Sequence, residues 1–285
     1  VQKKGRLFIV ATPIGNLRDI TFRAIDTLKK VNLIACEDTR RTRKLLQAYS
    51  ITTPLASLRE HNEPRKSEKL IEKIEEGWDI AYVSDAGTPG ITDPGHLLVD
   101  KAVNHGITVI PIPGPCAAVA AVSISGLTAQ GFIFFGFLPS RREKKREFLK
   151  GLIEERKISV FYEAPHRLKE TLEDIKEILG ERKLILTREL TKVHEEVIRG
   201  CAADIMEIWQ DKKIKGEITI VLAGCSDKAS NPTKKEIEHL IAQLLRNGGL
   251  STRDLAKKIA SELKISKKLA YEEVIAFLQS ESPKK

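Results

Sequence analysis

Three loops rich in Gly and Pro each follow an apolar run. They are Thr12-Pro13-Ile14-Gly15-Asn16, the stretch SDAGTPGITDPG from Ser84 to Gly95, and Pro113-Gly114-Pro115. Glycine lets a backbone come close to a ligand and turn its N–H groups outward, while proline fixes the approach. In an open α/β sheet, ligands bind beyond the carboxyl ends of the strands. Three such loops on one sheet edge would floor a single pocket, although three tight strand-to-helix turns would use the same residues. Asp85 and Asp93 could bind a ribose or an amine, or shape the turns beside them.

Polar clusters supply a second kind of chemistry. Glu37-Asp38-Thr39-Arg40-Arg41-Thr42-Arg43-Lys44 follows an apolar run directly, Arg59-Glu60-His61-Asn62-Glu63 lies further on, and Tyr162-Glu163-Ala164-Pro165-His166-Arg167 ends another apolar run. His61 and His166 could titrate near neutral pH, and Glu60 or Glu163 could take a proton. A cap or a surface position is the alternative for each. Several familiar chemistries are disfavoured, because GxGxxG after the first strand, GxxxxGK[ST], HExxH and a Ser-His-Asp order are all missing. The four cysteines, Cys36, Cys116, Cys201 and Cys225, are scattered without a CxxC pair, so no metal site is expected. Such thiols fit a reducing compartment, and with no export leader in view a cytoplasmic location is expected.

Short β-like runs and amphipathic segments alternate along the first 225 residues. Runs at Leu7–Ala11, Leu33–Ala35, Ile80–Val83 and Thr108–Ile110 predict strands, separated by helices at 17–31, 41–49, 67–76 and 96–104. That order predicts an α/β fold with a mostly parallel sheet. An Ala-rich helix from Cys116 to Ser125 follows Pro113-Gly114-Pro115. Further strands are predicted at Phe132–Phe135, Ile158–Tyr162, Leu184–Leu186 and Ile218–Leu222, with helices at 142–155, 167–179 and 203–209. These suggest a second α/β domain with a mixed sheet. Beyond a polar linker, apolar residues at helical spacing from Ile237 to Leu278 predict a helical tail, either a hairpin or a helix-turn-helix pair. The expected domains are 1–115, 116–225 and 233–281.

The chain carries 48 Lys and Arg against 39 Asp and Glu, a formal charge of +9. Such an excess suits a polyanionic partner, nucleic acid first and an acidic membrane second. Arg40, Arg41, Arg43 and Lys44 form one basic run, and Arg141, Arg142, Lys144, Lys145 and Arg146 form another. Each cation that neutralises a phosphate releases a counterion, giving salt-sensitive affinity. Solvated helix faces would account for either run equally well. Aromatic residues make up only 5% of the chain, which disfavours extensive base stacking.

The motifs ATPIGNL, ACEDTRRTRKLL, HNE, VSDAGTPGITDPG, PGPCAA, GFLP, YEAPHR, RELTKVHEE and KGEI stand in this order. Together they resemble the bacterial small-subunit ribosomal RNA 2′-O-methyltransferase I family. That family belongs to the tetrapyrrole methylase-like (class III) group of S-adenosylmethionine enzymes. The resemblance covers residues 5 to 224, and the tail from 233 resembles a C-terminal domain found in many members. It implies two α/β domains with the cofactor folded into the cleft between them, and a homodimer. Pro13, Gly87, Thr88, Pro89, Ile91, Cys116 and Ala117 would hold S-adenosylmethionine, joined by Tyr162, Glu163, Gly200, Cys201 and Ala202. The substrate would be a cytidine 2′-hydroxyl in the decoding region of small-subunit ribosomal RNA, with the ribosomal particle as partner. Glu163, His166 and Glu60 become candidate bases, and Arg40 or Arg167 could hold a neighbouring phosphate. A small-tetrapyrrole methylase and a non-catalytic assembly factor are the rival readings. Family members usually carry Ser at Cys116, Thr at Cys201 and Ser at Ala164, so any hydroxyl contact there is put in doubt.

Overall fold

Alternating side chains of short apolar runs fall on opposite faces of a strand, so a run buried throughout needs helices on both sides. The computed structural model describes residues 3–59, 63–128, 130–209, 214–225, 234–246, 251–263 and 266–281. Strands β1 (Arg6–Val10), β2 (Leu33–Cys36), β3 (Leu55–Ser57), β4 (Ile80–Val83) and β5 (Thr108–Ile112) form a sheet in the order β3-β2-β4-β1-β5. Every pairing in it is parallel. Phe8, Val10, Ile34, Ala81 and Val83 face one core with helices α1 (Phe22–Lys30) and α2 (Thr39–Ala48). Leu7, Leu33, Ala35, Ile80 and Tyr82 face the other, with α3 (Glu63–Glu75) and α4 (His96–Asn104).

The second sheet is mixed. It contains β6 (Phe132–Phe137), β7 (Ile158–Glu163), β8 (Leu184–Arg188), β9 (Glu196–Gly200) and β10 (Ile218–Leu222), in the order β6-β7-β10-β8-β9. Only β6 and β7 run parallel; the other pairings are antiparallel. One face packs on α6 (Arg142–Gly151), α7 (Leu168–Leu179) and α8 (Ala202–Ile208). Its other face receives Ala118 and Ala121 of α5 (Ala117–Ser123), the helix that leaves the first sheet after β5. Small residues on α5 allow this close approach.

Both sheets lie in one compact unit, residues 1–225, and residues 226–285 form another. Within the second unit, α9 (Lys234–Arg246), α10 (Thr252–Glu262) and α11 (Lys267–Glu281) bury Ile241, Leu255, Ile259, Ala270 and Val274 among themselves. No helix among the described residues is long and apolar enough to cross a membrane.

Two strands escape the sequence pattern, β3 and β9. Both are sheet edges, where one face is poorly covered and the apolar signal falls to one or two residues. The first helix also starts late: Leu17–Asp19 is a 3-10 turn, and α1 begins after Thr21, whose side chain caps it by accepting from the Ala24 N–H.

Candidate active site

Because β1, β2, β4 and β5 run parallel, the segments that follow them emerge at one edge. The Thr12 N–H donates to the Gly87 carbonyl at 2.9 Å, and the Gly87 N–H returns a bond to Thr12 at 3.0 Å. The Thr88 hydroxyl donates to the Pro115 carbonyl at 3.0 Å. All three Gly/Pro loops are therefore tied together. Gly87 has φ of 79°, a left-handed conformation in which a side chain is strained. The last turn of the long loop is fixed from below: the Tyr82 hydroxyl donates to the Pro94 carbonyl at 2.8 Å. Buried Glu63 accepts from the N–H groups of Gly95, Leu97 and Leu98, capping α4 at its positive end.

The second sheet brings the carboxyl ends of β6 and β7 and the start of β10 to the same place. Between the two sheets lies a cavity of about 440 Å³. Of the residues predicted to hold a cofactor, Gly87, Thr88, Ile91, Cys116, Ala117, Tyr162 and Glu163 line it. Pro13 does not, but its neighbour Ile14 does. Pro89 lines a separate depression with Gly90, Gly95 and His96.

Gly200, Cys201 and Ala202 lie elsewhere. Gly200 pairs with Leu184, whereas the cavity end of the sheet is marked by the pairs Ile218–Glu163 and Ile218–Arg188. Four residue steps along β8 separate Leu184 from Arg188, a span of roughly 13 Å. Cys201 instead starts α8, its N–H donating to Asp204 at 2.7 Å. The segment entering β10 contributes Gly216, Glu217 and Ile218 of the KGEI motif, with the adjoining Thr219, to the cavity, and no predicted site residue represented that motif.

Four charged groups also missed as site residues, or placed elsewhere in function, line the wall: Glu37, Arg41, Asp85 and Asp93. Asp85 is occupied, accepting from the Asp38 N–H at 2.9 Å and pairing with Arg41 at 3.4 Å. Burial pushes the Asp93 carboxyl up, and the negative charge of Asp85 adds to it, against hydrogen bonds with the Ser84 and Thr92 hydroxyls. Glu37 is raised too, by burial and then by Asp85 and Asp93. Tyr162 is pushed up to about 12, chiefly by burial. Its ring packs edge-on against Phe134 and Phe137, and Phe137 lines the cavity while 59% exposed.

The predicted bases fare differently. Glu163 is 2% exposed, and its carboxylate accepts from the Ala164 N–H at 2.8 Å and the Thr171 hydroxyl at 2.6 Å and pairs with Arg167 at 3.2 Å. Both carboxylate oxygens are thereby engaged, Oε1 by Ala164 and Arg167 and Oε2 by Thr171. Glu163 positions the turn after β7. Arg167 also donates to the carbonyls of Leu138 and Pro139, so its guanidinium is committed to the GFLP segment and not to a phosphate. His166 is exposed and lines no part of the cavity. Glu60, with His61 and Asn62, lies outside the described residues.

The two basic runs also separate. On α2, Arg40, Arg41, Arg43 and Lys44 are exposed; Arg40 folds back on Asp38 and Arg41 reaches the cavity. On α6, helical spacing turns Arg142, Lys145 and Arg146 toward α7. Asp174 pairs with Arg142 at 3.1 Å, Arg146 at 2.7 Å and Lys145 at 3.5 Å. Lys145 is wholly buried, and Arg146 also pairs with Glu177. These three cations join two helices, with Lys145 buried and Arg142 still half exposed, whereas Arg141 and Lys144 are exposed without such partners among the described residues.

A further contact comes from RELTKVHEE. Glu189 and Thr191 adopt positive φ, 52° and 65°, an uncommon and strained state for residues with side chains. The Thr191 hydroxyl accepts from the Asn16 N–H at 3.1 Å, bracing the first Gly/Pro loop. A Cβ on Gly15 would sit 2.4 Å from the Lys192 side chain and 3.0 Å from the Leu190 carbonyl. Only glycine fits there.

Comparison with known proteins agrees with this architecture. Residues 6–206 match the family described as Tetrapyrrole (Corrin/Porphyrin) Methylases. Ribosomal RNA small subunit methyltransferase I of Bacillus subtilis is 42% identical over 94% of this chain and 93% of its own. The Escherichia coli O157:H7 protein of that name is 44% identical over 92% and 90%. The Thermotoga maritima one is 48% identical over 77% of this chain and 99% of its own. Among solved structures, a cobalt precorrin-4 methyltransferase aligns with a TM-score of 0.60 at 14% identity, over 76% of this chain and 94% of that one. Uroporphyrin-III-C-methyltransferase of Thermus thermophilus aligns at 0.56 with 20% identity, over 77% and 94%. The chain belongs to the tetrapyrrole methylase family, in its ribosomal RNA small subunit methyltransferase I branch.

Proposed function

We propose that this protein methylates the ribose 2′-oxygen of a cytidine in the decoding region of small-subunit ribosomal RNA, using S-adenosylmethionine. On this reading it works in the cytoplasm as a homodimer on an assembled ribosomal subunit. The observation that carries the proposal is the cavity where three tied Gly/Pro loops meet the ends of β7 and β10. Its size suits a nucleoside-sized ligand, since such pockets run to about 300–1,000 Å³. Its lining also suits the cofactor: apolar Ile14, Ile91 and Ile218 for a base, and backbone at Gly87 and Ala117 for polar groups. The likeness to tetrapyrrole enzymes stays at 14–20% identity and speaks only to the fold. An intact cavity also argues against a purely scaffolding role.

S-adenosylmethionine supplies a methyl already activated on a sulfonium. What remains for the protein is to align the 2′-oxygen and receive its proton. Asp93 is assigned as proton acceptor, because the other acids of the wall are less available. Exposed Arg43 and Lys44 on α2, beside Arg41 at the rim, would meet the phosphates flanking the target.

Incubation with labelled S-adenosylmethionine and small subunits that lack the modification is expected to label one cytidine ribose. Label confined to protein or to small molecules would overturn the reading. Gly15→Val is expected to push the RELTKVHEE loop off the first Gly/Pro loop. Calorimetry should then show cofactor affinity about tenfold weaker, the equivalent of about 1.4 kcal/mol. Unchanged affinity would dissociate that brace from the cofactor site.

A further inference from the structure

In the helical unit of residues 226–285, cations outnumber acids, twelve Lys and Arg against eight Asp and Glu. Their placement is uneven. Arg253 and Lys257 stand one turn apart on α10, and Lys267, Lys268 and Tyr271 stand on the first turns of α11. These five side chains surround an open cleft of about 600 Å³ with Ala256 at its floor. All four cations are exposed, and Tyr271 is 44% exposed although its neighbours Ala270 and Val274 are fully buried.

The contrast with α6 is informative. There, three cations are neutralised by carboxylates of the facing helix α7. Around this cleft the only ion pair among the described residues is a loose one, Lys257 with Asp254 at 3.7 Å. Four cations brought together with a single acid paired to one of them repel one another, which an anion in the cleft relieves. An aromatic ring beside them adds a face on which a base can stack, whatever its identity. A lipid surface fits less well. Membrane-binding helices expose a broad apolar face, whereas among the described residues of this unit the exposed large apolar side chains are Leu245 and Tyr271.

We propose that the cleft between α10 and α11 binds the phosphate backbone of single-stranded or looped RNA, with Tyr271 stacking on a base. It rests on the function proposed above, and assigns the helical unit a grip of its own on the substrate. The Thermotoga relative fits this division of labour: it is matched over 99% of its own length by 77% of this chain, so about a quarter of this chain has no counterpart there. Methyl transfer and the additional grip are separable parts.

The test uses the full chain and transcribed small-subunit ribosomal RNA, titrated at several salt concentrations. Lys257→Gln with Lys268→Gln is expected to reduce the slope of log affinity against log salt by about 1.4, at about 0.7 per lost contact on single strands. The same pair should weaken binding at 0.1 M salt by about twentyfold. Tyr271→Ser should weaken binding about tenfold with the slope unchanged. Lys257→Arg with Lys268→Arg should keep wild-type binding, which separates lost charge from lost fold. An unchanged slope in the Gln pair, with an unchanged melting temperature, would overturn the cleft. So would preferential binding of the wild-type unit's cations to phosphatidylserine vesicles, read as a Gln-pair loss on vesicles but not on RNA. Cofactor binding and label transfer are read separately: RNA binding through the cleft without any methyl transfer would refute the enzymatic reading and leave the cleft standing.

Discussion

Asp93→Asn is expected to slow single-turnover methyl transfer by about 10²–10⁴-fold, the range typical of losing a positioned proton acceptor. A ribose hydroxyl is too weak an acid to ionise unaided near neutral pH, so a base matters most in the transition state. Among the carboxylates of the cavity, Glu163 is held by three donors, Asp85 by a backbone N–H and Arg41, and Glu217 by Lys192 at 3.2 Å. Glu37 is shifted in the same direction as Asp93 but is less deeply set. Burial raises the Asp93 carboxyl toward the working pH, where a base is most effective. The sign of the pH dependence follows. The rate should fall as pH drops through the raised Asp93 value and level off above it, and the Asn variant should lose that limb. S-adenosylmethionine affinity should change little. A variant within threefold of wild type would remove Asp93 from the chemistry, and Glu37→Gln is the next substitution to compare.

Asp174→Ala is expected to destabilise the fold by about 3–5 kcal/mol, the cost of stripping one partner from a buried charged cluster. Asp174 is completely buried, and its Oδ1 meets both Arg142 and Arg146. The wholly buried Lys145 would lose one of its two carboxylates and keep Glu170 and the Thr171 hydroxyl. Thr171 in turn donates to Glu163, so the damage should spread toward the cavity wall. Urea unfolding measures the loss. Replacing Lys145 and Asp174 together, by Met and Leu, should recover much of it, because no charge is then left unpaired. Burial alone would push the Asp174 carboxyl up, but hydrogen bonds from Arg146 and Arg142 outweigh it and hold it below its usual range. Its stabilisation is therefore present above the unfolded carboxyl value, about pH 4, and is lost as pH falls through the lower folded value. A loss under 1 kcal/mol in the single variant would show the cluster to be dispensable.

The elements of this protein were largely legible in the sequence because buried parallel strands and amphipathic helices carry strong periodic signals. Edge strands β3 and β9 were not, since half-covered strands need few apolar residues. The three Gly/Pro loops were legible as a group because each follows a strand of one parallel sheet, and the geometry of such a sheet puts their ends together. KGEI was visible as a motif and silent as a site: β10 is last in the chain order of its unit, and only antiparallel pairing with β7 returns its start to the cavity.

Charge was the least readable feature. A run such as Arg141 to Arg146 states how many cations a helix carries, not what faces it, and α7 supplied Glu170, Asp174 and Glu177. The same limit applied to Glu163, whose type suits a base but whose three donors make it a brace. By itself the sequence determined the α/β class, the strand ends that line the cavity and the family resemblance, because these depend on local pattern and order. Which carboxylates and cations stay free for chemistry was decided only by tertiary structure, since a charge is spent or spared by partners far away along the chain.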